Sequence, residues 1–266
     1  MADRRNIDVL AENISRQLPD PIAQMPGAGL TLVPFATRKL DMQIMAAMRA
    51  AALSISREDC SAVLQTALQA GIARDDLADF YIPELARELG EDWCTDMLSF
   101  ASVTIGVSRL QAMLRDLGPE WAGDQSANPA APSILLIVGQ DVHHTLGAMV
   151  LSGQLRRKGL SVRLMLGADL KDLAQKLSNT SYDAVFISSS SGESLESLRR
   201  IVYVIRTASK TTTPIVIGGT ILEVETYYDV TALTGADYAT IVPSEALELC
   251  GLTTKYLTAA PPLREV

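Results

Sequence analysis

Between Leu40 and Leu117 apolar residues recur at intervals of three and four: Met45, Met48 and Ala52, then Val63, Leu64, Ala67 and Leu68, then Leu77, Phe80, Tyr81 and Leu85, and finally Met97, Phe100, Ile105, Leu110, Met113 and Leu114. This spacing predicts four helices, each with one apolar face, packed as a bundle. Ser56-Arg-Glu-Asp59 resembles a capping box at the start of one of them, with Asp in place of the preferred Glu. From residue 133 the rhythm changes. Short apolar runs at Ile134 to Val138, Ser161 to Leu166, Ala184 to Ser188, Ile215 to Ile217 and Tyr238 to Ile241 alternate with helical stretches. That alternation predicts an α/β fold, a Rossmann-like, doubly wound parallel sheet of five strands, and near-continuous apolar strands predict burial on both faces. Gly118 to Pro132, rich in Pro, Gly and Ala without periodicity, reads as a linker. Residues 1–39, with Pro19, Pro21, Pro26, Gly27, Gly29 and Pro34, read as a short helix at most and then an irregular arm. The expected organisation is an arm (1–39), a helical cap (40–117), a linker (118–132) and a sheet domain (133–266).

At 266 residues and 48% apolar composition the chain has ample material for such cores. Its first residues lead into no apolar signal region, and no apolar run approaches the roughly 18 residues of a membrane span, so a cytoplasmic protein is expected. Cys60, Cys94 and Cys250 form no CxxC pair, which fits a reducing compartment with small core thiols. Charge is uneven: residues 1 to 132 carry 11 Lys+Arg against 18 Asp+Glu, the remainder 12 against 13. An acidic first half has the wrong sign for displacing counterions from nucleic acid, so direct DNA contact is expected to be weak or absent and any role in gene control should run through a protein partner. Arg156-Arg157-Lys158 is expected to solvate the end of an amphipathic helix.

The chain's two histidines, His143 and His144, lie side by side in Gly139-Gln-Asp-Val-His-His-Thr-Leu-Gly147, directly after the first predicted strand. Side chains at the carboxyl end of a parallel strand project into the crevice where open α/β sheets bind ligands, and imidazole there suggests a metal ligand. Two further loops should reach the same edge: Ser188-Ser-Ser-Ser-Gly192 and Gly218-Gly-Thr220. Short hydroxyls at Ser188, Ser189 and Ser190 can line a polar slot, and paired glycines admit close backbone approach.

Taken in order and spacing, these three loops resemble the cobalamin-binding domain family, whose pattern is Asp-x-His-x-x-Gly, then a serine about forty residues on, then Gly-Gly. His144-Thr145-Leu146-Gly147 supplies the His-x-x-Gly, Gly159 falls where the family's first helix ends, Ser188 takes the serine position, and Pro214-Ile-Val-Ile-Gly-Gly219 closes the set. The resemblance implies that His144 reaches cobalt from below while the nucleotide tail occupies a slot lined by Asp141 to Gly147, Ser188 to Ser190 and Gly218 to Thr220. The family aspartate would fall at Val142, whereas Asp141 lies one residue earlier, so Asp141-Val142-His143 remains an alternative register with His143 as ligand. Tyr81 to Trp93 is similar to the helical cap over the corrin in methionine synthases and cobalamin photoreceptors, which implies Trp93 as an aromatic lid. Where relatives carry Glu-His after that tryptophan, Val103-Thr104 stands here.

As a whole the chain resembles the AerR/PpaA antirepressors of purple photosynthetic bacteria. The resemblance implies a non-enzymatic, light-responsive regulator that binds hydroxocobalamin or adenosylcobalamin and acts on a CrtJ/PpsR-type repressor. A corrinoid methyl carrier and a haem sensor are the alternatives.

Overall fold

The computed structural model describes residues 40–118, 131–140 and 144–252. The expected arm, most of the expected linker, and Asp141, Val142 and His143 lie outside the described residues. Four helices form the amino-terminal part: α1 (Met42–Leu53), α2 (Glu58–Gln69), α3 and α4 (Phe100–Leu117). Helix α3 runs on without a break from Arg74–Asp76 through a π-helical turn, Leu77–Tyr81, into Ile82–Cys94. Asp41 starts α1 by accepting the amides of Gln43 and Ile44 at 2.8 and 3.2 Å, and Ser99 starts α4 by accepting that of Ser102 at 3.1 Å. Met48, Leu77, Ile82, Leu85, Leu89, Leu110, Met113 and Leu114 are fully buried between the helices.

Three local expectations are corrected. Met97, Phe100 and Ile105 fit the apolar rhythm, yet they are 74%, 69% and 51% exposed. The capping box does not close: Ser56 Oγ accepts the Glu58 amide at 3.1 Å, but Asp59 takes its hydrogen bond from the Ser54 hydroxyl. Asp lacks the methylene by which Glu reaches back across the first turn, so the carboxylate pairs with a nearer hydroxyl. Among the thiols, Cys60 is buried and Cys250 partly so, but Cys94 is exposed. Burial pushes the Cys60 thiol up, and burial with help from Asp237 pushes Cys250 up to about 11.

The second part holds β1 (Ser133–Gly139), α5 (Leu146–Arg157), β2 (Ser161–Ala168), α6 (Leu170–Asn179), β3 (Ala184–Ser188), α7 (Leu195–Ala208), β4 (Ile215–Gly218), a 3-10 turn Thr220–Glu223, α8 (Tyr227–Thr234), β5 (Tyr238–Ala239) and α9 (Pro243–Leu249). The five strands are all parallel in the order β2-β1-β3-β4-β5, as the alternation of runs predicts. Leu135, Ile137, Val185, Ile187, Ile215 and Ile217 pack under α6, α7 and α8. Ile134, Leu136, Phe186 and Val216 pack under α5 and α9. Burial on both faces holds for β1, β3 and β4 but not for β2, where Arg163, Leu166 and Gly167 are exposed. Strand β2 has a neighbour on one side only, and such edges are commonly left polar or irregular. Strand β5 stops at Ala239, leaving Ile241 56% exposed.

Helix α5 belongs to both parts. Its Ala148 and Leu155 enter the core on the sheet, while Leu146, Met149 and Val150 enter the core of the four-helix part. At its far end the expectation that Arg156-Arg157-Lys158 is a solvated run is corrected for the two arginines, while Lys158 is exposed. Arg157 pairs with Asp79 on the π-helical turn and with Asp75 at 3.5 Å, and Arg156 donates to the Val162 carbonyl at 2.8 Å. The side chains of Arg157 and Asp79 are only 21% and 17% exposed. Removing one member of so sheltered a pair strands the other charge. Arg157→Met should therefore lower stability by about 2 kcal/mol in urea unfolding. Adding Asp79→Leu should restore part of that loss rather than add to it.

Candidate functional site at the carboxyl edge of the sheet

In the order β2-β1-β3-β4-β5 the chain leaves β1 toward one edge and, from β3 onward, builds toward the other. Open α/β sheets bind ligands at the carboxyl ends of the strands flanking such a reversal, here β1 and β3. Two of the three sequence-derived loops are the ones that leave these strands. His144 stands just before α5 and Ser188 ends β3. His144 is exposed and makes no hydrogen bond among the described residues, so an imidazole nitrogen is free to meet a ligand.

The β3 and β4 loops are brought together closely. Ser188 pairs with Gly218 in register, the Ser189 amide donates to the Gly218 carbonyl at 2.8 Å, and the Ser191 amide donates to Thr220 Oγ1 at 3.0 Å. Ser188 and Ser190 are half-buried, whereas Ser189 is buried and donates its hydroxyl to Glu193 at 2.8 Å. The glycine pair owes its lack of side chains to the protein's own backbone. A Cβ on Gly219 would stand 2.2 Å from the Ser189 carbonyl oxygen, and one on Gly218 would stand 2.7 Å from that of Thr240. Gly219 also has φ +105°, which favours glycine. Gly147 differs: a Cβ there would meet nothing within 4 Å, so the protein's own packing does not require glycine at the start of α5.

The first loop is held from the opposite side. Gln111 Nε2, on α4, donates to Thr145 Oγ1 at 2.8 Å, which ties the residue beside His144 to the four-helix part. Sequence spacing gives no sign of Gln111, 34 residues away on a helix, nor of Thr240, whose carbonyl closes on Gly218. Trp93 lies at the end of α3, 46% exposed, with its ring 6.0 Å from that of Phe100 at the start of α4. Roughly 16 Å of helix α4 separates Phe100, which Trp93 faces from the end of α3, from Gln111, which holds the first loop. With Met97 and Ile105, Trp93 leaves large apolar side chains exposed on this part of the molecule.

The B12 binding domain model matches residues 132–249, a span that contains all three loops. A Rhodobacter capsulatus protein described as an uncharacterized 20.5 kDa protein in the bchF-crtJ intergenic region is 36% identical over 166 residues, covering 62% of this chain and 85% of that one. The chain belongs to the B12-binding domain family. Its fold is that of the Methanosarcina barkeri monomethylamine corrinoid protein, with a TM-score of 0.58 at 14% identity over 79% of this chain and 95% of the other. A cobalamin-binding protein from Desulfitobacterium hafniense DCB-2 matches 80% of this chain and 98% of its own at 17% identity and a TM-score of 0.39. Family membership makes a corrinoid the cofactor class of this site.

The residues present fit such a group. Among the described residues no cluster of three or more His, Cys, Asp or Glu could hold a bare metal ion. The exposed imidazole of His144 and the half-buried hydroxyls of Ser188 and Ser190 are groups of the kind that a corrinoid's cobalt and its polar tail would accept. No helix among the described residues is long and apolar enough to cross a membrane. Gly219→Ala should cost about 3 kcal/mol or more in urea unfolding, because both the steric clash and the φ angle oppose it. Gly147→Ala should leave stability unchanged or raise it by about 0.5 kcal/mol, so a loss of corrinoid in that variant would report contact with the ligand itself.

Proposed function

We propose that the chain is a cobalamin-binding, light-responsive regulator that relieves a CrtJ/PpsR-type transcription repressor by protein contact and performs no catalysis of its own. The observation that carries the reading is the free imidazole of His144 at the sheet's reversal point, inside the span matched by the B12 binding domain model. The name of the Rhodobacter capsulatus relative, which sets it between bchF and crtJ, supports the photosynthesis-gene setting.

A bound corrinoid would supply a cobalt ion and, when alkylated, a light-sensitive cobalt–carbon bond. The protein's own part is positional. His144 would offer an imidazole nitrogen to the cobalt, Thr145 is steadied by Gln111, and Ser188 and Ser190 would present hydroxyls to the cofactor's tail beside Gly218 and Gly219. The family's aspartate position holds Val142 here, and Asp141 lies one residue earlier. Trp93, Met97 and Phe100 offer an apolar cover from the four-helix part. A light signal needs two arrangements of the protein with different affinities for the ligand before and after photolysis. The acidic charge of the first half fits a protein rather than a nucleic-acid partner.

Reconstitution of the full chain with hydroxocobalamin, adenosylcobalamin and haem in turn, with absorbance spectra before and after illumination, tests the cofactor. Corrinoid uptake with a light-dependent spectrum supports the reading, and uptake of haem alone overturns it. Methyl transfer by the loaded chain to or from an added methyltransferase would instead favour a methyl carrier. His144→Ala should weaken corrinoid retention by at least about tenfold, given that even outer-shell partners of metal ligands are worth that much. His143→Ala should do less. The reverse ranking would move the ligand role to His143.

A further inference from the structure

A groove of about 480 Å³ runs along α4, lined by Arg57, Thr104, Ile105, Ser108, Arg109, Ala112 and Arg115. Its charge is unusual for its surroundings. The four-helix part, residues 40–117, holds six arginines and no lysine against twelve Asp and Glu. Three of those six arginines line this one groove. The other three are occupied elsewhere: Arg49 pairs with Asp92 and Glu88, Arg87 with Glu84 and Glu91, and Arg74 donates to the Leu117 carbonyl.

Among the described residues the groove arginines have no acidic partner. Arg57 and Arg115 are exposed and form no hydrogen bond or ion pair among the described residues. Arg109 donates to the carbonyls of Ala52 and Ile55 at 3.2 and 3.1 Å, which fixes its guanidinium beside the groove without a carboxylate to neutralise it. Nearby acids are turned to other tasks: Asp59 is held by the Ser54 hydroxyl, and Asp116 lines a separate hollow with Arg74 and Leu117. The Ser108 hydroxyl makes no hydrogen bond among the described residues, and that of Thr104 is spent on the Phe100 carbonyl at 2.8 Å.

We propose that this groove is a binding site for a compact polyvalent anion of metabolite size, bearing phosphate or carboxylate groups. Its volume falls within the range of small-molecule sites, roughly 300–1,000 Å³. Guanidinium groups suit both oxyanions through paired, charge-assisted hydrogen bonds, and Ser108 adds a neutral donor. The size of the ligand follows from the field around it. A long polyanion or a broad acidic surface would meet the many acids of the four-helix part, while a compact ion within the groove meets its arginines directly and the more distant acids through screening solvent. None of its lining residues belongs to the three loops at the sheet edge.

Isothermal titration calorimetry of the full chain at low ionic strength, with pyrophosphate and separately with citrate, tests this proposal. At least one anion should bind saturably at one site per chain, the preferred one telling phosphate from carboxylate. The double variant Arg57→Gln/Arg115→Gln should lose affinity by at least about tenfold, since both lost contacts are charge-assisted. Both positions are exposed, and unchanged circular dichroism would confirm that the variant folds. Absence of saturable binding by either anion up to about 10 mM, or a double variant that binds as tightly as the parent chain, overturns it. Hydroxocobalamin uptake measured on the same preparations should be equal in the two proteins. A failure of uptake in both would count against the cobalamin reading and leave the groove untouched.

Discussion

Two hydrophobic cores meet on one helix, and the remaining architecture follows from that sharing. Ala148 and Leu155 of α5 seal one face of the sheet, and Leu146, Met149 and Val150, on its other side, complete the core of the four helices. Leu164 of β2 packs against both cores as well, so the two interiors meet along α5 and the neighbouring edge strand. The pairing of Arg157 with Asp79 then fixes the far end of the helix in rotation and along its axis. What is often a loose contact between consecutive domains is here a continuous packed interior.

That arrangement bears on the candidate site because His144 stands two residues before α5. The exposed imidazole sits at the entry to a helix that is anchored on both sides, and Gln111 reaches across to the next residue. A ligand drawn to His144 therefore meets a loop whose position is set by the four-helix part as well as by the sheet. The β3 and β4 loops are rigid for another reason: Gly218 and Gly219 allow their backbones to approach Ser189 and Thr240 more closely than any side chain would permit. The crevice has one wall set by helix packing and another set by backbone contact.

The strands were readable because a parallel sheet covered on both faces writes itself as uninterrupted apolar runs, and β1, β3 and β4 carry them almost unbroken. The four helices were readable for a similar reason, through the three-and-four rhythm. The errors fall where rhythm is ambiguous. Met97, Phe100 and Ile105 keep the spacing of a buried face yet stand in solvent, because periodicity reports that residues share a side of a helix and not what covers that side. Arg157 looked like a solvated helix end because its partner, Asp79, is 78 residues away and is offered by a π-helical turn that no composition signal marks. At the candidate site, the loop order and the histidine position were visible in sequence. Gln111 and the reason for the glycines were not, since both depend on contacts between segments distant along the chain.

The double duty of α5 also limits how the molecule can be taken apart. A fragment begun at Ser133 would keep every strand and every loop of the sheet's carboxyl edge, yet it would display Leu146, Met149 and Val150 as a bare oily stripe one turn from His144. Such a fragment would cling to itself or to whatever apolar surface it met, and the first place to suffer would be the neighbourhood of the imidazole. Dissection at the Pro- and Gly-rich joint, which composition invites, thus cuts through a shared interior rather than between two finished ones.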